Sequence, residues 1–450
     1  MLELWHSPNF LLEILNKTDS EIETIAVDIV LLTISLIYLV SKIGSEVCAR
    51  LRLPAVSGEL IAGVILGVSG LNLLVFITGE TTTLPPLIQG FLENVYGLTD
   101  TEALKVFLFN GKVISLLSDI GVIILLFEVG LESDLNELLS VGRQALVVAF
   151  VGVIVPFFFA TIGLIYLFGV PPITAVFAGA ALTATSIGIT AKVLSEINHL
   201  KTTEGQIIVG AAIVDDILGI IILAVVASLI KTGQVEINSI IYLILVAVAF
   251  LVSAIVIGRF FTRFIVNVVD RMQTRGQLLV PALIFAFLLA YIAHRIGLET
   301  IIGSFAAGLV LAESNKGEEL KRLLAPVVDI IVPIFFVSIG AKTDLSILNP
   351  SLPSNREGLV VTLFLITVAI LGKLVTGLTV WNPSLNKMAI GVGMIPRGEV
   401  GLVFAEIGAN SGAVPSAIIA AIIMMVITTT FLAPSWLRFV LEKPGQEKTT

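Results

Sequence analysis

Two adjacent aspartates, Asp215 and Asp216, interrupt an otherwise apolar run, GAAIVDDILGIII over 210–222. The flanking stretch 206–230 is long enough to cross a bilayer, which puts both carboxylates near its middle. An acid at that depth costs roughly 2.5–3.5 kcal/mol on insertion scales. Two in a row therefore face protein or a water-filled cavity, not lipid. The chemistry such a doublet offers is reversible occupation by a proton or by a small, hard cation that prefers oxygen ligands. A pair that merely held helices together would be expected to use Ser, Thr, Asn or Gln, which bring no charge to be neutralised.

Three other stretches supply matching chemistry. GAALTATSIGITA (179–191) places Thr183, Thr185, Ser186 and Gly188 in mid-span, a run of weak helix formers. GVGMIPRGEVG (391–401) places Pro396 among glycines, and proline removes a donor and clashes with the preceding turn. Both spans are expected to break, exposing carbonyls and hydroxyls that can hold a cation. Lys373 lies inside LITVAILGKLVTGL (365–378), too deep to reach the interface, and a buried ammonium needs an acid. Neighbouring helical residues point about 100° apart, so one aspartate can pair with Lys373 while the other faces the cavity. Spacing leaves the order open; Asp215 is assigned to the lysine and Asp216 to the ion. Arg397 and Glu399 flank Gly398 and are expected to compensate charge at the break, between themselves or against half-helix dipoles. Glu59, Asp119, Glu128, Asp329 and Glu406 are further intramembrane acids, explained equally well as cavity lining or as helix-to-helix bonds.

These residues need apolar elements to position them. The chain has 450 residues, 56% hydrophobic and 13% charged, with a mean hydropathy of +1.05. Soluble domains carry about 25% charged residues, so this is a polytopic membrane protein. Apolar runs give thirteen spans, at about 25–44, 54–72, 112–130, 144–168, 173–194, 206–230, 239–258, 278–297, 300–312, 325–341, 357–380, 386–409 and 415–436, with 73–111 as the one long loop. Basic residues divide 17 to 7 in favour of an outside N-terminus and a cytoplasmic C-terminus. An internal repeat appears in constant register: Asp119, Gly130, Asp134-Leu135 and Gly188 match Asp329, Gly340, Asp344-Leu345 and Gly398. Each pair lies an odd number of spans apart, the mark of inverted-topology repeats in secondary transporters. The doublet breaks that symmetry, since its counterpart is Met424-Met425. A requirement of the fold should occur in both halves; a chemical one need not.

Other classes lack support. No basic, aromatic-interleaved patch suggests nucleic acid, and no Walker loop suggests ATP-driven pumping. The three histidines form no zinc motif, and the single Cys48 excludes an internal disulfide. His294 beside Arg295 reads as interfacial. The N-terminal residues show no basic n-region or cleavage site, so no signal peptide is expected, and Phe10–Leu15 is expected to form a short surface helix.

IILLFEVGLESDL (123–135), ALTATSIGITAKVLSE (181–196), GAAIVDDILGIIIL (210–223), IIGSFAAGLVLAES (301–314), PIFFVSIGAKTDL (333–345), LGKL (371–374) and IPRGEVGLVFA (395–405) together resemble the monovalent cation:proton antiporter superfamily. The likeness is to its second branch, the NapA-type sodium/proton antiporters, and in overall character to cyanobacterial members. The resemblance implies an all-α membrane protein of thirteen helices with inverted repeats and two broken crossing helices. It implies a homodimer in the lipid bilayer. Residues 25–130 and 278–341 would be its dimerisation domain, 144–230 and 357–436 its ion-transporting core, and 239–258 a linker helix. Residues 1–24 would form an extracytoplasmic arm and 437–450 a cytoplasmic tail. By the same likeness Asp216 is the carboxylate that binds Na⁺ or K⁺, Asp215 is its neighbour in the ion site, paired with Lys373, and Thr183, Thr185 and Ser186 line the crossing. The protein would be no enzyme and would need no cofactor. It would have no nucleotide-binding domain and would exchange Na⁺ (or K⁺ or Li⁺) for H⁺ electrogenically, in the plasma or thylakoid membrane. The alternatives are a K⁺/H⁺ antiporter, a cation channel and a sodium-coupled organic-anion symporter.

Overall fold

The computed structural model describes residues 19–74, 84–232, 237–269, 278–343, 353–398, 401, 404 and 414–442. The expectations for Phe10–Leu15, Glu399, Glu406 and the Asp344-Leu345 repeat match fall outside these residues.

The described chain is helical, with no strand among the described residues. In order, the helices are α1 (Asp19–Arg50), α2 (Ala55–Leu66), α3 (Pro86–Tyr96), α4 (Asp100–Glu132), α5 (Leu135–Phe168), α6 (Pro172–Ala181), α7 (Ile187–Glu196) and α8 (Thr203–Thr232). They continue with α9 (Ile237–Val269), α10 (Leu279–Arg295), α11 (Thr300–Ala312), α12 (Gly317–Ala341), α13 (Pro353–Leu378), α14 (Lys387–Gly393) and α15 (Ser416–Leu441). Among the described residues, eight stretches are long and apolar enough to cross a membrane. Each of the thirteen apolar runs contains helix, and the run at 173–194 is divided between α6 and α7.

The long loop differs from expectation. Residues 73–111 contain α3 and the first turns of α4. Pro86 sits at the start of α3, where its missing N–H costs nothing, and Gly97 closes it in the left-handed region, φ 63°. Thr99 and Glu102 then form a capping box that starts α4 well before its apolar stretch. Hydropathy detects the apolar part of a helix, and caps decide where it begins. Towards the chain ends, α1 is described from Asp19 onward and α15 continues to Leu441.

Packing follows two sets of neighbours. α4 runs against α11 and α12, α2 against α1 and α12, and α10 against α11. α5 runs against α8 and α13, and α13 against α14 and α15. α9 touches both α8 and α11. In the first set the backbones meet: a Cβ on Gly308 would collide with Phe127 O of α4, and one on Gly130 with Phe305 O of α11. Between lipid-solvated helices there is little hydrophobic drive to associate, and small residues permit the close van der Waals contact that replaces it. In the second set, Gly372 of α13 lies on Pro156 of α5, and Gly152 leaves space for the Lys373 side chain.

Candidate ion site at the crossing of two broken spans

The first break begins where α6 ends. Leu182 N–H donates to Gly179 O and Thr183 N–H to Ala180 O, a tightening turn that stops the helix. The Thr183 hydroxyl donates back to Ala180 O at 2.7 Å, the local competition that makes threonine a poor interior residue. The backbone is extended at Ser186 (φ −78°, ψ 101°) before α7 begins at Ile187. The second break follows α14. Met394 still has helical dihedrals, but Pro396 cannot continue the helix and biases Ile395 towards extended backbone.

The two breaks lie against each other and share hydrogen bonds. Ser186 N–H donates to Pro396 O at 2.8 Å. Thr185 Oγ1 donates to Met394 O at 3.1 Å, and Thr190 Oγ1 to Gly393 O at 2.9 Å. In return, Arg397 Nη1 donates to Ala184 O at 2.5 Å. Thr430 Oγ1 of α15 donates to Arg397 O. Breaking a helix orphans its last carbonyls, and each of these finds a donor from another element.

Lys373 completes the set from α13. Its Nζ donates to Thr183 O at 2.7 Å and to Asp215 Oδ2 at 3.0 Å, with lysine and aspartate both 0% exposed. The amine expected beside one aspartate is thus on Asp215. Asp216 points elsewhere, as the helical step of about 100° requires. It lines a small cavity of ≈ 20 Å³ with Thr185, Ser186, Gly188 and Gly398 from the breaks and Val122, Ile301 and Phe335 from α4, α11 and α12. That volume is enough for about one water-sized occupant. Thr185 and Ser186 therefore share the cavity with Asp216, whereas Thr183 is not part of its lining: its hydroxyl donates to Ala180 O and its own carbonyl accepts from Lys373.

Arg397 is fully buried, and its charge lies within reach of Asp215. Its described hydrogen bond goes to a carbonyl at the C-terminal end of a half-helix, the negative pole that a cation complements. Among the described residues the site thus holds two carboxylates and two cations. Arg397 is the charge-compensating residue expected at the second break, but its bond goes to a carbonyl of the first, which sequence spacing cannot show because it does not say how far a guanidinium reaches. Sequence reasoning gives no role to Thr190 or Thr430. Both sit on ordinary helical stretches and matter only because a carbonyl from a distant break ends beside them.

Of the other acids, Glu59 is buried and Glu128 half-buried, while Asp119 and Asp329 are exposed on the chain surface. Met424 and Met425, the repeat counterparts of the doublet, are buried at 3% and 0% exposure.

A family model described as sodium/hydrogen exchanger, transmembrane, matches residues 31–443 of this chain. The chain is 58% identical over 433 residues to the high-affinity Na(+)/H(+) antiporter NhaS3 of Synechocystis sp., covering 96% of this chain and 94% of that protein. It is 32% identical over 413 residues to the Na(+)/H(+)-K(+) antiporter GerN of Bacillus cereus, covering 90% and 95%. Among solved structures, the sodium proton antiporter MjNhaP1 of Methanocaldococcus jannaschii is similar in fold, with a TM-score of 0.59, 18% identity, and coverage of 92% of this chain and 96% of that one.

Proposed function

This chain belongs to the sodium/hydrogen exchanger family, and from that premise we propose that it is a secondary Na⁺/H⁺ antiporter whose cation and protons compete for Asp216. The observation that carries the reading is the division of labour in the doublet. Asp215 is neutralised by Lys373, while Asp216 faces a water-sized cavity lined by hydroxyls at the meeting point of two broken spans. A dehydrated Na⁺ wants oxygen ligands, and Asp216, Thr185 and Ser186 supply them there. A proton neutralises the same carboxylate. Exchange follows if the site reorients across the membrane only when the Asp216 carboxylate is occupied by the cation or a proton, since moving a bare carboxylate through a low-dielectric path is costly.

In this reading the thirteen spans form two inverted repeats. The helices built from residues 144–230 and 357–436 move against those from 25–130 and 278–341, with 239–258 as the link. The moving unit would hold the broken spans; the other would form a homodimer. The N-terminus is outside and the C-terminus cytoplasmic, and the membrane is the plasma or the thylakoid membrane of a bacterium. Exchange is electrogenic, as the paired acids suggest. The likeness to GerN, whose name includes K⁺, supports testing K⁺ as a second cargo.

The test is dissipation of a preset pH gradient in proteoliposomes, with Na⁺, K⁺ and Li⁺ supplied separately. Saturable dissipation by Na⁺ with coupled proton movement is expected. Cation flux without proton movement would indicate a channel and contradict the proposal.

A further inference from the structure

One face of α7 leads away from the cavity. Gly188, Lys192, Ser195 and Glu196 are spaced at helical intervals, so they stack along one side from the break to the helix end. Opposite them on α4 stand Val122, Leu125, Leu126, Glu128 and Glu132. The seam begins at the Asp216 cavity, which Val122 and Gly188 both line. It is then narrowed by Leu125 and Phe335, whose side chains stand over Gly188 at the distance where an added Cβ would make ordinary van der Waals contact, 3.5 Å and 3.7 Å. One helical turn further it becomes polar. Lys192 is the principal positive neighbour of Glu59, Glu128 and Glu196. Glu59 is 9% exposed; its Oε1 accepts from Ser45 at 3.3 Å, and its Oε2 is buried with no hydrogen-bond partner among the described residues.

At the end of the seam, direct polar contacts join α7 and α15 to α2, α4 and α12. Ser195 Oγ donates to Glu132 Oε2 at 2.6 Å, and Lys321 Nζ of α12 pairs with Glu132 Oε1 at 2.6 Å. Glu196 Oε2 accepts from Ala55 N–H at 3.0 Å. That bond caps α2 from another element, because Pro54 at the cap position offers no side-chain acceptor. Arg438 Nη1 of α15 donates to Leu53 O at 3.0 Å. These contacts tie the end of α7 and the end of α15 to the starts of α2 and α12 and the end of α4.

We propose that the α7–α4 seam is the route by which cation and protons reach Asp216 from this end, and that the Ser195–Glu132–Lys321 chain, with Glu196 on the start of α2, is the gate that closes it. The proposal rests on the exchange reading for its purpose. Glu59, Glu128 and Lys192 provide the hydrophilic stretch behind the gate, and Leu125 and Phe335, standing over Gly188, form the inner constriction. Both must part in each cycle. In the orientation proposed above, the gate is cytoplasmic.

Two experiments test the gate, both in a Cys48→Ser background that removes the single cysteine. In the first, Ser195→Cys and Glu132→Cys are bridged by a short bis-methanethiosulfonate in proteoliposomes. Na⁺-driven dissipation of the pH gradient is expected to fall by about tenfold or more when the bridge forms, and to return on reduction, because gate opening becomes limiting. Unchanged transport with the bridge fully formed would overturn the gate and leave the exchange reading standing. The second needs no transport. Ser186→Cys is labelled with a membrane-impermeant maleimide applied from the side of the α15 C-terminus. Adding Ser195→Ala and Glu196→Ala is expected to raise the labelling rate by about tenfold, through a larger population of the open seam. An unchanged rate would overturn the gate whatever the cargo proves to be.

Discussion

The two broken spans face the same difficulty, a helix interrupted in a dry interior, and meet it with opposite chemistry. After α6, the carbonyls of Thr183 and Ala184 are taken by an ammonium and a guanidinium, Lys373 and Arg397. After α14, the carbonyls of Gly393, Met394 and Pro396 are taken by neutral donors, the hydroxyls of Thr190 and Thr185 and the N–H of Ser186. Neutral donors would have sufficed at both. The cations are therefore best explained by what else lies beside the first break, the aspartate doublet on α8. A helix end that needs positive charge and an acid that needs a counter-ion share one lysine. In this arrangement Lys373 bonds Asp215, and Asp216 lines the cavity.

The contrast can be broken first at its charged side. Lys373→Ala leaves Asp215 buried without its ammonium and Thr183 O without its donor. Removing one partner of a buried pair costs about 3–5 kcal/mol, so a pronounced fall in melting temperature in detergent is expected, with an altered pH dependence of exchange. Replacing both partners, as Asp215→Asn with Lys373→Met, should cost less than the single change. Equal or greater loss in the double variant would mean that the pair is not what holds the first break.

Glycines near the two breaks give a second, smaller separation. A Cβ on Gly393, at the end of α14, would meet Ile208 Cδ1 at 2.7 Å, whereas one on Gly188, at the start of α7, meets only side chains at 3.5 Å or beyond. Gly393→Ala is expected to lose about 1–3 kcal/mol through overpacking. Gly188→Ala should be neutral or gain up to about 1 kcal/mol from helix propensity. Thermal melts of the two variants measure the difference, and equal effects would show the neutral break to be no more tightly packed.

The smallest effects belong to the neutral donors. Thr190→Val removes one hydroxyl bond and should cost about 1 kcal/mol with exchange retained. Thr185→Val removes a similar bond but also a cavity oxygen, so its Na⁺ half-saturation should rise while its stability loss matches that of Thr190→Val. Matching kinetics for the two variants would remove Thr185 from the cation's ligands.

Much of this was legible in the sequence because the informative residues are exceptions to their surroundings. A carboxylate, an ammonium or a proline in an apolar span has few explanations, and Asp215-Asp216, Lys373 and Pro396 located the crossing. What stayed hidden depends on reach and on meeting. Arg397 bonds a carbonyl in the opposite break, Thr190 and Thr430 serve carbonyls remote in sequence, and the Glu196 cap on α2 joins residues 141 positions apart. Helix ends were displaced for another reason. Apolar runs mark the membrane-embedded part of a helix, while the Thr99–Glu102 capping box that starts α4 lies outside it. Backbone contacts such as Gly130 against Gly308 were concealed because glycines abound in every span.

The most direct measurement is Na⁺-dependent dissipation of a pH gradient in proteoliposomes carrying Asp216→Asn, alongside the melting temperature of the same preparation. Loss of exchange with an unshifted melt is the predicted result, since Asn keeps the volume of the side chain and removes only the charge that cation and proton share. Exchange at the unsubstituted rate would contradict the account at its centre.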